Sequence, residues 1–190
     1  PEGYHLEISA HQILITAKDR AGLLYGFSTL EQLMEDAKDQ NVALPICKIK
    51  DYPLLAFRAI HLDIKHHREK TSYYYDLMDR LKKYKINGII LEFEDKIKYA
   101  KHPLIGTQEA LSISEWKKLS EYAHARNIQI SPLVQGLGHA SYILKHEKYK
   151  DLRDDPENDW AFNPLDPRTY ELQFDLYHDA MKATPHGKYL

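Results

Sequence analysis

Residues Gly88-Ile89-Ile90-Leu91-Glu92-Phe93-Glu94-Asp95 constrain this chain more than any other stretch. A half-buried strand alternates apolar and polar residues, because successive side chains point to opposite faces. Four apolar residues in a row instead fit a strand covered on both faces, as in parallel sheets flanked by helices. A parallel neighbour needs a long crossover, usually a helix, and the sequence supplies one on either side. Thr71 or Ser72 caps a predicted helix through Tyr84, with Tyr75, Leu77, Met78 and Leu81 on its apolar side. Ser112 or Ser114 caps a second, with Trp116, Leu119, Tyr122 and Ala123. Phe57 to Ile64 and Ile128 to Val134 read as the flanking strands. A short helix follows from about Ala140. Another begins near Pro167, a favourable first-turn residue, and carries Tyr170, Leu172, Phe174, Leu176, Tyr177 and Met181. His186 to Leu190 reads as a loop entering a fourth strand.

Repeated βα units predict a parallel sheet with right-handed crossovers. Such a sheet is either open and doubly wound or closed into a (β/α) barrel. No glycine-rich dinucleotide fingerprint follows the first strand. Each strand instead ends in a polar cluster: Asp63 to His67, Glu92 to Asp95, and Gln135 to His139. Barrel enzymes carry their chemistry at the C-terminal strand ends, so this pattern favours a barrel.

Upstream of Asp51-Tyr52-Pro53 the pattern differs. Tyr4-His5-Leu6-Glu7-Ile8 alternates as a half-buried strand, and Ile13 to Ala17 reads as its hairpin partner. Leu23, Leu24, Phe27, Leu30, Leu33 and Met34 recur at helical spacing after Asp19, a candidate N-cap. Pro45 to Ile49 is a further short strand. Residues 1–50 therefore read as the C-terminal part of a small α+β domain, and residues 51–190 as the N-terminal half of a (β/α)8 domain. The chain begins at Pro1 rather than Met, so this reading leaves room for a leader or further strands upstream.

A formal net charge of −2 gives no field directed at nucleic acid or at an anionic membrane. No apolar run is long enough to span a bilayer. The single cysteine, Cys47, excludes an intrachain disulfide and any site built on several thiolates. His61, Asp63, His66 and His67 suggest a zinc cluster by residue type. His61 and Asp63 fall within one strand, however, and no separated His-x-His pair accompanies them, so the metal reading is disfavoured. The tyrosines at 73 to 75 read as helix packing rather than a sugar platform.

Four segments carry a resemblance. Ala56-Phe57-Arg58-Ala59-Ile60-His61-Leu62-Asp63 resembles the first barrel strand of the retaining β-N-acetylhexosaminidases of glycoside hydrolase family 20. Ser131 to His139 resembles the third strand and its loop, and Asn163 to Tyr170 the lead into the third major helix. Tyr4 to Leu33 resembles the small domain before the barrel. The Glu92 to Asp95 and Gln135 to His139 segments are most similar to the hexosaminidase D-like branch.

The resemblance implies hydrolysis of terminal β-linked N-acetylglucosamine or N-acetylgalactosamine from a glycan or glycoconjugate. It implies no cofactor and no metal. In this family the substrate's own acetamido oxygen is the nucleophile, an exception to the two-carboxylate scheme. An Asp-Glu pair ending the fourth strand orients that group and protonates the leaving oxygen. That pair is expected just after Leu190, so no catalytic residue falls in this chain and the chain alone is expected to be inactive.

The resemblance makes Arg58, His139 and Asp95 substrate-binding residues, with Arg58 pointing into the barrel to hold sugar hydroxyls and Asp95 a partner for His139. Asp63, Glu94 and Gln135 would support the pocket, Gln135 standing where many relatives have an acid. From the residues alone, Arg58 reads as a strand-start surface pair, His139 as a polar helix start, and Glu94 and Asp95 as solvated loop charges. Two rivals follow: a non-catalytic glycan-binding half-barrel, and a metal-dependent barrel hydrolase.

Overall fold

A computed structural model describes residues 1–190. Tyr4–Ile8 (β1) and Ile13–Ala17 (β2) form the hairpin that their alternation predicts, paired antiparallel from Tyr4↔Ala17 to Ile8↔Ile13. Tyr4, Leu6 and Ile8 are buried on one face, while His5 is exposed on the other. A helix (α1, Arg20–Asp39) packs on the buried face through Tyr25. It starts where Asp19 accepts a hydrogen bond from Gly22 N at 2.8 Å, one of the orphan donors of a helix start. Gly26 lets the helix approach closely, since a Cβ there would lie 2.5 Å from Ile15 Cγ2. Cys47–Asp51 (β3) pairs with the other edge of β1, giving the order β2-β1-β3. This strand starts two residues later than its apolar pattern suggests, because β1 ends at Ile8, opposite Cys47, and offers Pro45 and Ile46 no partner.

The second unit holds a parallel sheet of Ala59–Asp63 (β4), Gly88–Glu92 (β5) and, further along, Gln129–Leu133. Thr71–Lys83 (α2) crosses from β4 to β5. Neither Thr71 nor Ser72 caps it. Lys70 holds the cap position without a side-chain bond, and Tyr74 rather than Tyr75 is the buried tyrosine, its ring 5.6 Å from that of Trp116. After β5 a 3-10 turn leads to the two-residue pair Ile97–Lys98 (β6) and Leu111–Ser112 (β7). Ile113–Ala125 (α3) then begins on a capping box between Ser112 and Glu115. Gln129–Leu133 (β8) follows, then Ser141–Leu144 (α4), a 3-10 stretch, and a hairpin of Arg153–Asp155 (β9) and Asn158–Phe162 (β10). The hairpin is absent from the sequence expectation because its strands are polar and short. Pro167–Ala183 (α5) closes the chain with Asp166 as N-cap.

The parallel sheet has the order β4-β5-β8. Ile89, Leu91 and Ile130 face the helices and join Trp116, Leu119 and Leu176 in the main core. By the two-residue alternation of strands, Ala59, His61 and Asp63, Ile90 and Glu92, and Ser131 and Leu133 lie on the opposite face. The sheet stops at three strands and no barrel closes. Residues 186–190 are not in a strand, contrary to expectation. Gly187 instead donates its N–H to Thr184 O and sits so near β8 that a Cβ there would lie 2.5 Å from the Ile130 carbonyl.

The two units meet at the N-terminal ends of the parallel strands, and Arg58 holds the junction. Its Nε donates to Lys85 O at 2.8 Å, its Nη1 to Leu55 O at 2.6 Å, and its Nη2 to Glu2 Oε2 at 2.8 Å and Tyr25 Oη at 3.2 Å. Glu2 also accepts from the Nδ2 groups of Asn87 and Asn127, both at 3.2 Å. Lys85 Nζ donates to Asp51 Oδ2 at 2.7 Å and Tyr4 Oη at 2.9 Å. A lysine ammonium cannot reproduce the planar guanidinium fork. Arg58→Lys is therefore expected to destabilise the chain by about 1.5–3 kcal/mol, the worth of a hydrogen bond to a charged group. Urea unfolding measures this, and an unchanged midpoint would show that the junction carries little stability.

Candidate functional site

Two in-register parallel pairings bring three strand ends level: Asp63 opposite Glu92, and Glu92 opposite Leu133. Glu92 is the centre of what gathers there, with 2% of its surface exposed. A buried carboxylate is costly unless donors replace its water, and three groups approach it. Gln135 Nε2 donates to Oε1 at 2.6 Å, Lys65 Nζ to the same oxygen at 3.4 Å, and His61 Nε2 lies 3.0 Å from Oε2. Lys65 Nζ also pairs with Asp63 Oδ2 at 2.8 Å, and Lys65 N donates to Asp63 Oδ1 at 3.0 Å. The hydrogen bond to Asp63 raises the Lys65 ammonium pKa. Burial works to raise the Asp63 carboxyl, but its bonds to Lys65 outweigh that and hold it below the usual range.

The chain leaves β5 through a 3-10 turn, Glu94–Lys96, with Glu94 in the left-handed region at φ 44°. Burial, followed by the neighbouring Glu92 charge, pushes the Glu94 carboxyl up to about 7. Glu94 thus holds a proton into the neutral range, a common property of functional sites. Asp95 and Lys96 are buried beside it and bonded to each other, and Lys145 Nζ approaches Asp95 at 3.6 Å. Lys96 Nζ also donates to Lys65 O at 2.9 Å, tying this turn to the loop after β4.

Of the residues singled out in the sequence, Asp63, Glu94, Asp95 and Gln135 come together at these strand ends. His139 lies on the loop after β8, at φ 53°, with its ring centroid 4.1 Å from that of Trp160. It does not pair with Asp95 as expected, because the Asp95 carboxylate is taken up by Lys96 and Lys145. Arg58 does not belong to this cluster. It precedes β4, so the five residues to Asp63 put it about 16 Å away at the opposite end of the strand. All of its guanidinium nitrogens are bonded elsewhere, Nη2 to Glu2 and Tyr25 of the small domain and Nε and Nη1 to the Lys85 and Leu55 carbonyls. The expectation of an inward, sugar-holding Arg58 is corrected accordingly.

Sequence reasoning placed Glu92 and Lys65 in polar strand-end clusters without giving them a role, weighed His61 only as a metal ligand, and missed Trp160. The first three carried a usable signal, since alternation along the strands places Glu92 on the face of His61 and Asp63. The four residues read as a zinc cluster do not converge: His61 turns to Glu92, Asp63 to Lys65 and His67 to Glu69. No group of three or more His, Cys, Asp or Glu is placed to hold a metal ion. No helix is long and apolar enough to cross a membrane.

An antiparallel α+β unit latched to the base of parallel βα units, with acids, a lysine and an amide at the far strand ends, makes this a two-unit α/β chain with a polar strand-end site. Residues 1–52 match the family described as "Glycosyl hydrolase family 20, domain 2". Hexosaminidase D of Bos taurus is 29% identical over 133 residues, covering 70% of this chain and 38% of the relative. Hexosaminidase D of Homo sapiens is 28% identical over 129 residues, covering 67% and 26%. A mutant Streptomyces plicatus β-hexosaminidase in complex with product (GlcNAc) superposes with a TM-score of 0.84 at 24% identity, over 97% of this chain and 43% of that one. Residues 1–52 thus match a domain of glycoside hydrolase family 20, the chain as a whole is similar to β-hexosaminidases, and it spans less than half the length of each of these relatives.

The raised Glu94 carboxyl makes a prediction about stability. Between its ordinary 4.5 and its folded value of about 7, the folded chain holds one proton more than the unfolded chain. The stability tied to this group is complete below the unfolded value and is lost as pH rises through about 7. Glu94→Gln keeps a neutral side chain at every pH. The melting temperature of the variant minus that of the native chain should therefore grow between about pH 5 and about pH 8. A difference that stays flat would show that Glu94 is ionised like a surface carboxylate.

Proposed function

We propose that this chain forms part of the substrate site of a retaining, substrate-assisted exo-β-N-acetylhexosaminidase, acting on terminal β-linked N-acetylglucosamine or N-acetylgalactosamine. The observation that carries this reading is the buried Glu92 with its lysine, amide and imidazole donors at the C-terminal strand ends. Sugar hydroxyls both donate and accept, so a rim alternating carboxylates with ammonium and amide groups suits them. Asp63, Lys65 and Gln135 are the groups proposed to meet those hydroxyls, with Glu92 fixing Lys65 and Gln135 in place. Glu94 supplies a carboxyl that is partly protonated at neutral pH, and Asp95 braces the turn on which it sits. His139 stands at the rim.

The reaction itself is attack by the substrate's acetamido oxygen on the anomeric carbon, while a glutamic acid protonates the leaving oxygen. No Asp-Glu dipeptide occurs in residues 1–190. The proposal places that pair on the next strand of the complete enzyme, beside β8. Residues 1–190 alone should then show no turnover of an aryl β-N-acetylglucosaminide, since a positioned general acid is worth about 10²–10⁴-fold in rate. Assaying this chain beside a full-length enzyme containing the pair tests the point, and comparable turnover per mole would refute it. In the full-length enzyme Glu92→Gln removes the charge that holds Lys65. It should lower kcat/KM by about 1.5–3 kcal/mol of transition-state stabilisation. An unchanged kcat/KM would remove the strand-end cluster from the sugar site.

A further inference from the structure

Trp160 sits apart from every role assigned so far. The chain has two tryptophans. Trp116 is buried in the core and donates Nε1 to Lys96 O at 3.1 Å. Trp160 is 50% exposed, although its backbone is fixed on both sides. Its carbonyl accepts from Ala140 N at 2.9 Å and its N–H donates to Asn158 Oδ1 at 2.9 Å. The neighbouring Phe162 N donates to Leu137 O at 2.8 Å, and Ser141 Oγ donates to Asp159 Oδ1 at 2.8 Å. The hairpin of β9 and β10 is thus fastened to the loop after β8, and it holds an indole ring at the surface.

The loop beneath is shaped to match. His139 adopts φ 53°, a region that non-glycine residues enter at a cost, and its ring packs against Trp160. Leu137, on the same loop, is 47% exposed. Strained backbone with exposed aromatic and apolar groups is characteristic of ligand clamps. The location is bounded as well. Gln135 bonds to Glu92, and Trp160 Nε1 lies 3.6 Å from the point a Cβ would take on Gly138. Three residues, from Gln135 to Gly138, span at most about 10 Å. The ring therefore stands within a disaccharide's reach of the Glu92 cluster.

We propose that Trp160, backed by His139, is a stacking platform for the sugar on the leaving-group side of the scissile bond, so that the enzyme favours N-acetylhexosaminides whose aglycone is itself a pyranose. The proposal rests on the hexosaminidase reading above. A pyranose presents an apolar C–H face and a polar rim. The electron-rich face of an indole attracts those C–H groups, and the rigid hairpin spends little conformational entropy on binding.

The test compares kcat/KM for the β-linked disaccharide of N-acetylglucosamine with that for its methyl β-glycoside, in the full-length enzyme. Trp160→Ala should lower the disaccharide-to-methyl ratio about three- to tenfold, the size of one aromatic contact, and Trp160→Phe should restore most of it. An unchanged ratio overturns the proposal, as does an equal loss on both substrates or a phenylalanine that fails to restore the ratio. A native enzyme that cleaves neither substrate overturns the hexosaminidase reading instead. Tryptophan fluorescence still decides the platform in that case. The disaccharide should shift the native emission, and the difference between native and Trp160→Phe spectra, which reports Trp160, should carry that shift. No shift in the native protein would sink the platform.

Discussion

The pairing of β5 with a parallel neighbour on each edge is the constraint from which the rest of the structure follows. Its register places Asp63, Glu92 and Leu133 side by side, so three strands end together. Because the connections between parallel strands must cross over, the intervening helices cover one face and supply the core. The other face carries His61, Asp63 and Glu92. A slip of one residue in β5 would exchange these faces, burying Glu92 among Trp116 and Leu119 and turning Leu91 outward. The continuous apolar run of β5 tolerates either choice in its middle. The polar residue at its end is what makes the observed register the favourable one.

Burial of Glu92 then organises the loops. A carboxylate this buried needs converging donors, and they come from β4, from the loop after it and from the loop after β8. Each loop is thereby tied to the same atom pair. Lys96 adds a strut by donating to Lys65 O. Glu94 shares this setting: burial first, and then the Glu92 charge beside it, raise its carboxyl.

Much of this was legible in the chain itself. The hairpin of β1 and β2, the Asp19 cap, the Ser112 cap and the start at Pro167 are local effects of alternation, capping and proline geometry. The parallel sheet follows from the apolar run 88–91 flanked by helical periodicities. Three of the polar strand ends were visible as clusters. What was not legible depends on contacts distant in sequence. Arg58 looks like a ligand residue in the linear pattern, yet Glu2 and Tyr25 claim its guanidinium from positions 56 and 33 residues away. Asp95 and His139 are both near the site, but two lysines decide which of them the carboxylate meets. The hairpin that presents Trp160 has strands too short and too polar to announce themselves.

Lys85 and Asn127 occupy equivalent places, each directly after the C-cap residue of a crossover helix and each in the left-handed conformation, at φ 58° and φ 60°. Helices often end this way, but usually on glycine. Here side chains are retained, and both reach the small domain: Lys85 to Asp51 and Tyr4, Asn127 to Glu2 and Tyr25. The small domain therefore acts as a jig. It grips successive βα units at the same point of their repeat, so their angular spacing is set from outside the sheet. A chain made from its N-terminus onward has this jig in hand before the strands it aligns are complete.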